Sequence, residues 1–101
     1  LVGSEMCIRD SPYKKGKRRR ELEEALQRKH TSIYFESPHR LVSTLEILTE
    51  LEPQVHVSIL KELSKKFENI YGGETVKLLG TFTDREPRGE FVLAIDPTSL
   101  S

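Results

Sequence analysis

The residues whose types and spacing favour chemistry lie in two neighbouring segments, residues 14–20 and 31–41. The second segment begins with β-branched and aromatic residues, ends as a strand at Glu36, and restarts as a helix at Pro38. Open α/β sheets hold their ligands at the carboxyl ends of strands, so the polar groups at this break are candidates for a binding site. The first segment holds six Lys or Arg and no acid, which favours a polyanion nearby.

RNA binding is the favoured interpretation of the basic segment, because a dense cluster of cations attracts phosphate without reading base sequence. A mobile, solvated run of charge is the alternative. Tyr13 is the one aromatic residue beside the cluster, so base stacking is not its expected role. The RNA-binding candidates are Lys14, Lys15, Lys17, Arg18, Arg19 and Arg20.

The polar residues at the strand–helix break resemble an acid–base group, but they also have a structural explanation. Ser37 is favoured at a helix N-cap and Pro38 at the first helical position. His39 and Arg40 then lie on the surface of the first turn. Catalysis by His39 is therefore not the favoured interpretation, and the sequence identifies no general base.

Length and composition indicate one small domain. The chain has 101 residues, of which 36% are hydrophobic and 32% charged, and its formal net charge is zero. Cys7 is the single cysteine, so no internal disulfide or cysteine-based metal site is expected. His30 and His56 lack ligand-like spacing, so no metal site is predicted. No apolar run is long enough to span a membrane, and a cytosolic location is expected.

Hydrophobic periodicity predicts an α/β domain whose mixed sheet is flanked by helices. Gly72-Gly73 is expected to turn the chain and residues 83–87 to form a polar loop. The predicted order is a helix at 21–28, a strand at 32–35, a helix from Pro38 to about Leu51, strands at 55–59 and 67–71, a helix at 75–82 and a central strand at 91–95.

The first residues are predicted to stand outside the fold. Residues 6–11 match a translated sequencing-library adapter, so residues 1–12 are interpreted as an artefact or a disordered terminus. The domain is expected to occupy residues 13–97, and residues 98–101 are a tail.

Three motifs resemble one known family. They are Tyr-Phe-Glu-Ser-Pro-His-Arg-Leu at 34–41, Lys-Glu-Leu-Ser-Lys at 61–65 and Arg-Gly-Glu-Phe-Val-Leu at 88–93. In order and spacing they are similar to the ribosomal RNA small-subunit methyltransferase I family of the tetrapyrrole methylase superfamily. Two residues depart from the family pattern. Lys61 stands in place of Arg and loses its bidentate geometry, and Ser64 stands in place of Thr but keeps the hydroxyl.

The resemblance implies a site and partners. It implies an enzyme that uses S-adenosylmethionine to methylate the ribose 2′-oxygen of a cytidine in 16S rRNA, within the small ribosomal subunit, and that forms a homodimer. Glu36 and Leu63 are implied to line the cofactor pocket. Residues that could orient the substrate are Ser37, His39, Arg40, Lys61, Glu62 and Lys65. For Lys61, Glu62 and Lys65, surface ion pairs that contribute little are an equally favoured interpretation.

The resemblance covers the C-terminal of the family's two domains. The family's N-terminal domain carries a Gly-rich start and a Ser-Asp-Ala-Gly-Thr-Pro box, which this sequence lacks. The chain alone is therefore expected to be inactive. Two alternatives stay open, a small-molecule (tetrapyrrole) methylase domain and a non-enzymatic RNA-binding module. The basic segment argues against the first, and the adapter-like start argues against the second.

Overall fold

The structure is a computed structural model. It describes residues 6–10, 12, 14–63, 66–83 and 89–100. Within these ranges the backbone alone is described at Met6, Cys7, Asp10, Glu62, Leu63, Thr83 and residues 66–69.

The described elements alternate between strands and helices. Among them, α2 begins at Pro38 and ends at Leu51, as the sequence predicts. In chain order the elements are β1 (Met6–Asp10), α1 (Lys15–Gln27), β2 (Thr31–Glu36), α2 (Pro38–Leu51), β3 (His56–Leu63), β4 (Lys66–Glu74), α3 (Thr75–Thr83), β5 (Glu90–Asp96) and a 3₁₀ helix (Pro97–Leu100).

The described strands form one five-stranded mixed sheet in the order β1-β2-β5-β3-β4. Strand β1 pairs with β2 in parallel, whereas β5 runs antiparallel to both β2 and β3. Consequently β2 and β3 point the same way, and their carboxyl ends lie at one edge of the sheet. The predicted α/β class is confirmed, and β5 is central as its continuous apolar run indicates. The same run predicts cover on both faces of β5, and this prediction is wrong, because the described helices cover one face.

One face of the sheet is covered by α1, α2 and α3, and the core lies there. Alternate residues of β5, including Leu93 and Ile95, point into a buried cluster that also contains Leu22 of α1 and Leu45 of α2. Leu22 and Ala25 lie on one stripe of α1, with Arg18 one turn before them. The same stripe therefore carries both apolar residues and one cation into the interior.

The opposite face carries an apolar row that the described helices leave uncovered. Phe35, Val92, Leu60 and Ile70 stand opposite one another across four strands. Phe35 is 60% exposed and Ile70 is 73% exposed. We call this row, together with Ile8 on β1, the open face.

Several local predictions differ from the structure. Gly72 and Gly73 do not form the predicted turn, because they pair with Ser58 and Val57 inside β4. Gly73 has a φ of 146°, a conformation that favours glycine, and the strand passes into α3 two residues later. The predicted loop lies mostly outside the described residues.

The ends of the chain also differ from expectation. Residues 1–12 were interpreted as lying outside the fold, but Met6–Asp10 forms an edge strand paired with β2. The sequence predicts a helix from Glu21, with a start within the preceding arginine run as the alternative. Helix α1 begins earlier, at Lys15, so all of the basic segment after Lys14 is helical. Pro97–Leu100 is a 3₁₀ helix, where a tail was predicted from residue 98.

Of the helices in the described part of the chain, none is long and apolar enough to cross a membrane.

Candidate functional site

The carboxyl ends of β2 and β3 form one edge of the sheet. Glu36 ends β2, and Leu63 ends β3. Glu36 and Lys61 stand on either side of Phe91 of β5, in register with it. Two strand spacings, or about 10 Å, therefore separate the Glu36 and Lys61 positions.

Glu36 turns its side chain toward the helices. It is 1% exposed, and the Thr44 hydroxyl of α2 donates a hydrogen bond to its Oε1 at 3.3 Å. A buried carboxylate is costly unless hydrogen bonds satisfy it, so this contact ties β2 to α2. Within this chain Glu36 does not open directly to solvent. The side chain of Leu63 lies outside what the structure describes, so a pocket shared by Glu36 and Leu63 stays a prediction.

A second feature is a pocket between the starts of α1 and α2, which we call the basic pocket. It has a volume of about 490 Å³. Its lining includes three residues of the strand–helix motif, one residue of the basic segment and one further serine. These residues are Arg18, Ser37, His39, Arg40 and Ser43.

Two arginines in the basic pocket are held by two serines. Arg18 donates from Nη1 to Ser43 Oγ at 2.7 Å and from Nε to the Pro12 carbonyl at 3.2 Å. Arg40 donates from Nε to Ser37 Oγ at 3.3 Å. Ser37 occupies the N-cap position of α2, as predicted, but its hydroxyl makes no capping hydrogen bond in the described helix.

Ser43 was not predicted, although the sequence carries a signal for it. It lies four residues after His39 and three after Arg40 in α2. Side chains at these spacings share one helix surface, so a polar residue at 43 extends the surface that His39 and Arg40 begin.

The six cations of the basic segment do not share one environment. Lys14, Lys15, Lys17 and Arg20 are exposed, as a phosphate-binding surface requires. Arg19 is half-buried and bridges two helices, with Nη1 2.7 Å from Glu50 of α2 and Nε 3.5 Å from Glu23 of α1. Arg18 is 5% exposed and faces the interior.

Helix α1 also joins β2 through a network of polar side chains. The Tyr34 hydroxyl donates to Glu21 Oε2 at 2.8 Å, and Arg28 Nη2 lies 2.8 Å from the same oxygen. Arg28 Nη1 donates to Ser32 Oγ at 3.1 Å. Burial, followed by the neighbouring Glu21 carboxylate, raises the pKa of Tyr34 above its usual range. These contacts lie inside the fold, so we assign them to stability.

The remaining predicted site residues are only partly described. Lys61 is half-buried on β3, and Glu62 is described by its backbone alone. Lys65 lies outside the described residues. In the part of the chain that the structure covers, no group of three or more His, Cys, Asp or Glu is placed to hold a metal ion.

No known protein-family model matches the chain. Individual curated proteins do. The ribosomal RNA small subunit methyltransferase I of Bacillus subtilis (strain 168) is 33% identical over 82 residues, covering 81% of this chain and 28% of that protein. The protein of the same name from Coprothermobacter proteolyticus is 39% identical over 87 residues, covering 86% of this chain and 38% of that protein.

The chain therefore spans about a third of the length of these curated relatives. The predicted resemblance to ribosomal RNA small subunit methyltransferase I is confirmed, and the relatives of this chain are methyltransferases.

A solved structure shows the same fold. The crystal structure of the methyltransferase CobJ aligns with a TM-score of 0.62 and 17% sequence identity, covering 92% of this chain and 41% of that chain. At this identity the likeness shows the fold and carries no information about substrate.

Proposed function

We propose that this chain is the C-terminal part of an S-adenosylmethionine-dependent enzyme that methylates the ribose 2′-oxygen of a cytidine in 16S rRNA. The observation that carries the proposal is its 33% and 39% identity, over most of its length, to ribosomal RNA small subunit methyltransferase I proteins. A chain this short would supply one wall of the active site. The remaining wall would come from an N-terminal domain.

The edge formed by β2 and β3 is the proposed cofactor wall. Glu36 and Leu63 end their strands there, and ligands of open α/β sheets bind at such edges. Because the Glu36 carboxylate is buried against Thr44, we expect the end of β2 to meet the ligand through its backbone. When bound, the cofactor supplies a methyl group on a sulfonium centre, which is a good leaving group.

The protein's part in such a transfer is mainly alignment. Holding the ribose hydroxyl in line with the methyl group removes the entropic cost of bringing the two together. The exposed cations Lys14, Lys15, Lys17 and Arg20 would hold the RNA by its phosphates. Ser37, His39, Arg40, Lys61, Glu62 and Lys65 are the proposed orienting residues. We place the enzyme in the cytoplasm, acting as a homodimer on the small ribosomal subunit.

Product analysis tests the proposal. The longer protein that contains this chain is incubated with labelled S-adenosylmethionine and small ribosomal subunits that lack the modification. Nuclease digestion and mass spectrometry should then reveal 2′-O-methylcytidine. A methylated base, or label transferred to a tetrapyrrole instead, would contradict the proposal. The 101-residue chain alone should transfer no methyl group, because it would supply only one wall of the cofactor site. Cofactor binding depends on the contact area that a site buries.

An RNA-binding assay over a series of salt concentrations tests the exposed cations. Lys17→Gln combined with Arg20→Gln should weaken RNA binding and lower the slope of its salt dependence by about 1.4, at about 0.7 per lost phosphate contact. Lys77→Gln, on exposed α3, is the charge-matched control and should leave the slope unchanged. Equal slopes for the double variant and the control would assign these cations to a solvated surface.

A further inference from the structure

The basic pocket is built almost entirely from hydrogen-bond donors. Arg18 and Arg40 each carry five N–H donors and no acceptor. Ser37 and Ser43 already accept hydrogen bonds from these guanidinium groups, at 3.3 and 2.7 Å. A hydroxyl that accepts in this way keeps its own O–H to donate. The pocket therefore suits a group with several acceptor oxygens.

The charge of the basic pocket points to an anion. Two cationic guanidinium groups line it, those of Arg18 and Arg40. The start of α2 lies at the same place, and the positive end of its dipole adds to this field. An entering anion is therefore attracted by side chains from two different helices.

The pocket is also held in shape before any ligand arrives. Arg18 is 5% exposed, and its contacts to Ser43 and to the Pro12 carbonyl place its guanidinium group. A preorganised arginine loses little side-chain entropy on binding, and its charge lies on a planar group held in a fixed orientation. Isolated surface lysines offer no such geometry.

The surroundings of the pocket favour a phosphate that belongs to a larger molecule. The pocket, of about 490 Å³, is open to solvent and does not enclose its ligand. Lys17 and Arg20 flank Arg18 along α1, where they are exposed and line a separate pocket with Glu21 and Glu24. A nucleic-acid backbone that enters the basic pocket would run along α1 to reach these cations.

We propose that the basic pocket, lined by Arg18, Ser37, His39, Arg40 and Ser43, binds one phosphate group of the RNA backbone. The choice of RNA rests on the proposed function, whereas phosphate binding rests on the pocket alone. On this reading Arg18 has a role different from that of the other cations in its segment. It fixes one phosphate in position, and its exposed neighbours attract the rest of the chain.

The test uses inorganic phosphate as the probe and backbone amide NMR shifts of the 101-residue chain as the readout. Phosphate should cause saturable shifts at His39, Arg40 and Ser43. Arg40→Gln should raise the dissociation constant at least tenfold, and Ser43→Ala should raise it about threefold. The absence of saturable shifts in the wild-type chain would overturn the proposal.

Matched variants separate a specific site from general attraction. Lys77→Gln removes one positive charge from the surface of α3 and should leave phosphate binding within twofold of wild type. Arg40→Lys keeps the charge but loses the fork, so it should bind more weakly than wild type. If Lys77→Gln weakens binding as much as Arg40→Gln, the effect is nonspecific and the pocket is not a site. Should Arg40→Gln fail to fold, Arg40→Lys and Ser43→Ala carry the same comparison.

A competition experiment tests whether the phosphate that the pocket binds can belong to RNA. A short oligoribonucleotide should displace inorganic phosphate from the wild-type chain, and neutral methylphosphonate linkages should abolish this displacement. Phosphate binding without competition by RNA would overturn the RNA assignment. These arms measure binding alone, so their failure is distinguishable from a failure of the methylation assay.

Discussion

The two faces of the sheet carry similar residues in different surroundings. Tyr34 and Phe35 are neighbours in β2, yet Tyr34 is 1% exposed beneath the helices and Phe35 is 60% exposed on the open face. The same contrast holds in β5, where Leu93 is buried and Val92 is half-buried on the other side. Apolar character alone therefore does not tell which face of this sheet is covered. The face that the helices cover is the one whose buried side chains stabilise the fold.

The largest expected effect comes from removing a buried side chain on the covered face. Leu93→Ala should lower the free energy of unfolding by about 2–5 kcal/mol, because it loses buried apolar surface and leaves a cavity. Phe35→Ala removes more atoms, but from the open face, and should cost less than about 1 kcal/mol. Urea unfolding of the three chains, followed by circular dichroism, measures both changes.

One result would contradict this comparison of the two faces. If Phe35→Ala costs as much as Leu93→Ala, then the open face contributes to the core, and the assignment of one covered and one open face is wrong. A loss near 5 kcal/mol would be a large part of the 5–15 kcal/mol typical of small domains.

A smaller effect is expected from the polar network beneath α1. Tyr34→Phe removes the hydrogen bond to Glu21 and should lower the free energy of unfolding by about 1.5 kcal/mol near neutral pH. The variant also removes a titrating group. Because the folded-state pKa of Tyr34 is raised, the unfolded chain loses this proton first, and stability falls as pH rises above about 10.

Measuring the free energy of unfolding between pH 8 and 11 tests whether stability falls with rising pH as predicted. Wild type should lose stability steeply at the alkaline end, and Tyr34→Phe should lose less. Leu93→Ala is the control, since it is destabilised but keeps Tyr34 and should keep the wild-type decline. An unchanged decline in Tyr34→Phe would show that burial of this hydroxyl does not couple its proton to folding.

Sequence patterns predicted local elements well because their signals are local. The Ser37-Pro38 start and the leucine spacing of α2 depend on neighbours within one turn, and the structure reproduces both ends of that helix. The turn predicted at Gly72-Gly73 is wrong, because the conformational freedom of glycine suits a turn and an irregular strand equally well. Pairing with β3 determines that these residues form a strand.

The environment of each site residue was less predictable. Arg18, Arg19 and Arg20 are identical residues in a row, and their local sequence gives them one role. Packing of α1 against α2 separates them, burying Arg18 beside Ser43 and pairing Arg19 with Glu50. One indication of this burial was available, because Arg18 lies four residues before Leu22 and therefore on the apolar stripe of α1. Burial of Glu36 likewise depends on Thr44, which lies on another element.

The smallest effect on stability, and a sharp test of the open face, comes from making that face polar. Phe35→Thr combined with Ile70→Thr places β-branched residues, which favour strands, at both positions, so the free energy of unfolding should change by only about 0.5 kcal/mol. Fluorescence of a dye that binds exposed apolar surface should nevertheless fall, because the apolar row loses both ends. Val76→Thr is the control, since Val76 is exposed on α3, away from the sheet, and should leave the fluorescence unchanged. An equal fall in this control, or no fall in the double variant, would mean that the open face is not the apolar surface that distinguishes the two sides of the sheet.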